Sequence, residues 1–99
     1  MKESVMTKVR VYFFGGFRGI TGKGEDEIIV PKGATLRDFL FELVRKYGAP
    51  FEQLVWSSDS KLRPACQLFL EDEEVSPDDL NREVIGKVNL FFVAAVGGG

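Results

Sequence analysis

The chain closes on Val96-Gly97-Gly98-Gly99, and the chemistry on offer there is that of a terminal carboxylate. A run of glycines, lacking Cβ atoms, is thin enough to thread a narrow slot in another protein. Within such a slot the carboxylate can be activated and passed to a nucleophile. The plain alternative is a frayed end without a role, since chain termini are commonly disordered. Little else in the sequence reacts. Of 99 residues none is histidine, and Cys66 is the single cysteine. Ser-His and Cys-His machinery is therefore excluded, together with the commonest general base. One cysteine makes no internal disulfide and no cysteine-only zinc or iron–sulfur site. Cys66 lies in an apolar alternating stretch and reads as a small core residue.

Two other segments invite a chemical reading and lose it on spacing. The glycine-rich stretch from Gly15 to Gly24 lacks the phosphate-loop pattern, because Phe17 stands five residues before Gly22 and Gly24, not Ser or Thr, follows Lys23. No helix is expected directly after it, so a dinucleotide fingerprint fails as well, and a long hairpin connection is the reading adopted. Glu71-Asp72-Glu73-Glu74 lacks calcium-loop spacing and reads as a solvated hairpin tip. No metal site and no bound cofactor are expected. The net charge of -2 gives no electrostatic case for nucleic acid. No apolar run reaches membrane-spanning length and no signal-peptide core is visible, so no membrane is expected and the location reads as cytoplasmic.

The elements that must position the tail follow from periodicity. Lys8 to Phe13 alternates, with Val9, Val11 and Phe13 inward, and Glu27 to Pro31 is the return strand. Thr35 caps the one long helix, whose apolar stripe is Leu36, Phe39, Leu40, Leu43, Val44 and Tyr47. Asp38 in its first turn and Arg45 and Lys46 in its last complement the helix dipole, and Gly48 followed by Pro50 ends it. Phe51 to Arg63 reads as irregular, with a short helical turn around Phe51 to Trp56. Ala65 to Leu70 is a strand, with a short edge piece near Val75, and Ser76-Pro77 opens a single capped turn. Lys87 to Val93 is the last strand. Alternation there points Val88, Leu90 and Phe92 to the core and Phe91 and Val93 to the open face, with Phe69 as neighbour; the inverse register is the alternative. Residues 1–7 form a flexible extension (Met6 is an alternative start), 8–93 the domain and 94–99 a flexible glycine tail.

One main helix and a mixed sheet of four to five strands make a two-layer α+β domain with one sheet face uncovered. This order resembles the β-grasp (ubiquitin-like) fold, and within it the MoaD/ThiS sulfur-carrier family, in particular the small subunit of molybdopterin synthase. The resemblance rests on Val9 to Phe14 with Phe17-Arg18 and Gly22, on Val30-Pro31-Lys32-Gly33-Ala34-Thr35-Leu36-Arg37-Asp38, on Gln67 to Leu70 through Val75-Ser76, and on Leu90-Phe91-Phe92 with the glycine tail. The chain departs from the family at Val93-Ala94-Ala95, where Pro-Pro is usual, at the third glycine, and at Glu71-Asp72, where an Asn-Gly-like turn is usual.

The resemblance implies a carboxylate relay. A ubiquitin-activating-type (MoeB-like) adenylyltransferase would activate the Gly99 carboxylate with ATP, and sulfur transfer would leave a thiocarboxylate. A MoaE-like large subunit would then receive the tail and pass the sulfur to a pterin precursor for the molybdenum or tungsten cofactor. The chain would have no catalytic site of its own and would act as a protein co-substrate. Gly99 would carry the reacting atom, Gly98 would flank it, and Gly97 and Val96 would give access, while Phe91, Val93 and Phe69 would dock the partner. Either Gly97-Gly98 or Gly98-Gly99 is then the functional pair. Sulfur carriage for thiamine or tRNA thiolation, conjugation as a protein modifier, and a non-covalent β-grasp interaction module are the alternatives.

Overall fold

The structure, a computed structural model, describes residues 5–59 and 61–92. The glycine tail and Val93 lie outside the described residues, as do residues 1–4. The first strand, β1, runs Met6–Gly15 and is followed by helix α1, Gly16–Thr21, and strand β2, Glu25–Pro31. Helices α2, Leu36–Tyr47, and α3, Ala49–Val55, come next. Strands β3, Cys66–Leu70, and β4, Glu73–Glu74, a 3-10 turn at Pro77–Asp79, and β5, Lys87–Phe92, complete the domain. The five strands form one sheet in the order β2-β1-β5-β3-β4. β1 and β5 are parallel at its centre, and the other pairs are antiparallel. The expected α+β β-grasp architecture is present.

Pleat alternation decides the two faces. Val9, Val11 and Phe13 of β1, Ile28 and Val30 of β2, Leu68 of β3 and Val88 and Leu90 of β5 all point to the helix layer and are buried. Leu36, Phe39, Leu40 and Leu43 of α2 meet them, as the helical spacing requires. The start of α2 is fixed by a reciprocal cap: the Asp38 amide donates to the Thr35 hydroxyl at 3.2 Å, and the Thr35 amide donates to the Asp38 carboxylate at 3.1 Å. At its other end Gly48 takes a φ of +88° and returns an amide to the Val44 carbonyl.

Two expectations need correction. β1 begins at Met6, so Met6 and Thr7, assigned to the flexible extension, pair with Pro31 and Val30; β2 runs long enough to offer them partners. The glycine-rich connection contains α1, because Phe17 is fully buried and packs 4.9 Å from the Phe51 ring, which winds the segment into the core. The helical turn expected around Phe51 to Trp56 is present as α3, which Pro50 opens, since proline is tolerated in a first helical turn. The stretch after α3 is more ordered than its composition implies: Trp56 bridges to Leu62, and the Arg63 amide donates to the Val55 carbonyl. Phe51 joins Phe13, Phe17 and Tyr47 in an aromatic cluster at this end of the core.

Asp26 ties β2 to the end of α2. Its carboxylate accepts from the Tyr47 hydroxyl and from Lys46 Nζ at 2.6 Å, and its second oxygen accepts from the Glu27 amide at 2.8 Å. Partial burial pushes this carboxyl up, but the Lys46 ammonium and the Tyr47 and Glu27 donors outweigh it and hold the group at about 2. Burial and the neighbouring carboxylate push the Tyr47 hydroxyl up in turn. A carboxyl lowered by folding contributes stability above its unfolded value that is lost as pH falls through its folded value. Asp26→Asn is expected to cost about 1–2 kcal/mol at neutral pH. It should also flatten the loss of stability between about pH 4 and pH 2, as read by urea denaturation across that range.

Candidate functional site

The uncovered face of the sheet divides into a charged half and an aromatic half. Outward positions of β1 are Lys8, Arg10, Tyr12 and Phe14, in strict alternation with the buried ones. Toward β2, Arg10 forks to Glu27 at 2.6 Å and Glu25 at 3.1 Å, and Lys8 stands 3.8 Å from Glu27. These groups are solvated, so each pair is worth well under about 1 kcal/mol and mainly keeps this half polar.

Toward β5 and β3 the face turns aromatic. The parallel register sets Phe14 opposite Phe91, and their rings stack at 4.3 Å with 8° between planes. Phe69 meets Phe91 from the other side, edge-on at 5.5 Å and 72°. Phe91 is thereby half-buried between two neighbours, while Phe14 remains 39% exposed. Stacked and edge-to-face pairs of this kind contribute about 0.5–1.5 kcal/mol beyond their area. The result is a contiguous aromatic patch bordered on the β2 side by ion-paired residues, the usual composition of a docking core with a charged rim.

The patch lies beside Phe92, the last residue of β5. Phe92, the last described residue, faces the other way and packs edge-on against Phe17 at 6.0 Å. Its backbone is seated by Gly15, its partner on β1, with φ +62° and ψ -131°, a region open essentially to glycine alone. A Cβ at Gly15 would stand 2.6 Å from the Phe92 carbonyl oxygen, so only glycine lets β1 approach the end of β5 this closely. At the far end of β5, Glu71 occupies the tight turn that an Asn-Gly pair usually fills. Its φ of +57° is rare for a side-chain-bearing residue, and its carboxylate accepts from the Lys87 amide at 3.0 Å.

The register expected for β5 is observed: Val88 and Leu90 are buried, Phe92 packs against the core, and Phe91 sits on the open face beside Phe69. Of the remaining site residues expected from the sequence, Val93, Val96, Gly97, Gly98 and Gly99 lie outside the described residues. Phe14 was missed. Alternation from Phe13 puts it outward, but its place against Phe91 depends on a parallel pairing that no local pattern announces. Cys66 is buried as expected, and burial pushes its thiol up to about 12, so it is protonated and inert near neutral pH. Among the described residues, no group of three or more His, Cys, Asp and Glu side chains gathers as a metal site would, and no helix is long and apolar enough to cross a membrane.

No protein-family model and no curated protein matches the sequence. Solved structures do match. The small archaeal modifier protein 1 of Haloferax volcanii is 19% identical, with a TM-score of 0.78 over 89% of this chain and 99% of that one. A Pyrococcus furiosus protein provisionally designated molybdopterin converting factor subunit 1 is 26% identical, with a TM-score of 0.69 over 89% of this chain and 99% of that one. Urm1 of Trypanosoma brucei is 18% identical, with a TM-score of 0.70 over 96% of this chain and 100% of that one. The ubiquitin-like β-grasp fold is thus shared with the small archaeal modifier protein, with Urm1 and with a protein of the molybdopterin-converting type, in keeping with the resemblance to the MoaD/ThiS family. Gly15→Ala is expected to cost about 2–3 kcal/mol in urea denaturation, through backbone strain and the clash at Phe92. Gly19→Ala in α1, where a Cβ meets nothing within 4 Å, should be neutral or stabilising.

Proposed function

We propose that this protein is a sulfur carrier whose C-terminal glycine is the substrate of partner enzymes, with the sulfur destined for molybdopterin. The observation that supports this reading most is the aromatic patch of Phe14, Phe91 and Phe69 at the root of the tail. On the β-grasp fold, such a patch gives a partner something to grip while the tail enters its active site. The seven residues 93–99 reach at most about 25 Å when extended, enough to carry a terminal group from the sheet into a deep cleft.

In this reading the Gly99 carboxylate attacks the α-phosphorus of ATP held by an adenylyltransferase, and pyrophosphate leaves. A sulfide equivalent then attacks the acyl carbon, AMP leaves, and a thiocarboxylate remains. A synthase large subunit takes up the tail, the sulfur passes to the pterin precursor, and water restores the carboxylate. Gly98, Gly97 and Val96 thread the slot, and Val93 extends the docking patch. The chain supplies no acid or base; the acyl group and the grip are its contribution, and the cytoplasm is where the reaction would occur.

A second reading uses the same activated intermediate. If a lysine amine rather than sulfide displaces AMP, the product is an isopeptide bond, and the likeness to small archaeal modifier proteins supports this second outcome. The experiment is intact mass spectrometry of the full chain with an adenylyltransferase of the same organism, ATP and sulfide. Replacement of one oxygen by sulfur at the terminus supports the carrier, a lysine conjugate supports the modifier, and an unchanged mass with the cognate enzyme leaves only a non-covalent module. Removal of Gly99 alone should abolish the product; full activity without it would shift the reacting position to Gly98. Phe91→Ala is expected to weaken adenylyltransferase binding about tenfold in a titration, with Phe14→Ala close behind.

A further inference from the structure

On the helix side of the domain, away from the aromatic patch, an open cleft of about 530 Å³ lies along α2, α3 and the segment after them. Its wall includes Arg37 and Phe41 from α2, Glu52 from α3, and Trp56 and Arg63. The Phe41 and Trp56 rings stand 5.4 Å apart at 31°, and the Arg37 guanidinium lies 5.4 Å over the Trp56 ring. Three features here are not required by the fold. Phe41 is 50% exposed on the outer side of an amphipathic helix, where a polar residue is the norm. Arg37 and Arg63, like Arg18, have no carboxylate partner among the described residues, and Arg63 spends only its Nε–H within the fold, on the Gln53 carbonyl at 2.5 Å, while Arg10, Arg45 and Arg82 are each ion-paired. Trp56 is 8% exposed, and its indole N–H is the buried side-chain donor left without an acceptor among the described residues, although buried donors nearly always find one.

We infer that this cleft binds a small planar aromatic carboxylate. The ring lies against Phe41 beside Trp56, where the exposed apolar surface is covered on binding. The carboxylate is held by the guanidinium forks of Arg37 and Arg63, whose planar donors match its two oxygens. Glu52 is the one acid on the wall, so two guanidiniums and one carboxylate leave a single net positive charge, which suits a monoanion better than a polyanion. The volume falls within the range of about 300–1,000 Å³ typical of small-molecule sites. Because this cleft and the aromatic patch open on opposite sides of the sheet, occupancy of one does not obstruct docking at the other.

The test exploits Trp56 being the only tryptophan in the chain. Its indole N–H gives one resonance in a proton–nitrogen NMR spectrum, which can be followed while phenylacetate or benzoate is added to the full chain. A saturable shift with a millimolar dissociation constant is expected, as befits so small a ligand. Acetate, which lacks the ring, and benzyl alcohol, which lacks the charge, should each bind at least about tenfold more weakly. The Arg37→Gln/Arg63→Gln double variant should lose binding about tenfold or more with the rest of its spectrum in place, and Phe91→Ala should bind as the parent does. Phe41→Ala, which keeps both arginines, should also weaken binding and serves if the double variant does not fold. Failure of the aromatic carboxylates to saturate, an equal response to acetate or benzyl alcohol, or undiminished binding by the arginine and Phe41 variants would overturn the assignment.

Discussion

The parallel pairing of β1 with β5 is the constraint on which the rest of the molecule depends. It brings the start of the domain and its last strand side by side in the middle of the sheet, with Phe13 opposite Leu90 and Phe14 opposite Phe91. A parallel pair cannot be closed by a tight turn, so the intervening chain must cross the sheet, and α2 with α3 is what it makes of the crossing. That crossing covers one face and leaves the other bare. The pairing also holds the strand that leads into the tail at the centre of the sheet, where neighbours on both sides fix it.

Seating the end of β5 relies on contacts from elements distant in sequence. Gly15 lets the β1 backbone come up against the Phe92 carbonyl, and Phe17 of α1 packs on the Phe92 ring. Phe51 of α3 packs in turn on Phe17, and Tyr47 of α2 on Phe51. The Tyr47 hydroxyl closes the chain of contacts by donating to Asp26 on β2. The root of the tail is thus held by the same aromatic core that holds the helices. In the proposed carrier role, this rigidity would fix the point from which the tail extends relative to the aromatic patch.

The division of labour between the two layers is equally physical. The helix side hides the apolar stripe of α2 and the thiol of Cys66, both removed from chemistry by burial. The open side keeps ion pairs at the β2 edge and aromatic rings toward β3 and β5. Charge at the rim is cheap to hold in water, whereas the stacked rings gain most when a partner excludes water from them.

Much of this was legible in the sequence. The Thr35–Asp38 cap, the 3.6-residue stripe from Leu36 to Tyr47 and the Gly48 stop determine α2 by local chemistry alone, and alternation fixes which residues of β1 and β5 face inward. Local pattern also placed Phe91 and Phe69 on the open face, and composition removed histidine and internal-disulfide chemistry at once. Only the tertiary structure decided what distant segments do to one another. It wound Gly16–Thr21 into a helix to bury Phe17, lengthened the helical turn expected around Phe51 into Ala49–Val55, and drew Met6 and Thr7 into the sheet. It set Phe14 on Phe91, and it gathered Arg37, Phe41, Trp56 and Arg63 around one cleft. Hydrogen-bonded caps and periodicity act over a few residues, so a sequence displays them. The pairing of β1 with β5 and the packing of α3 join residues tens of positions apart, and their energy exists only once the chain has folded.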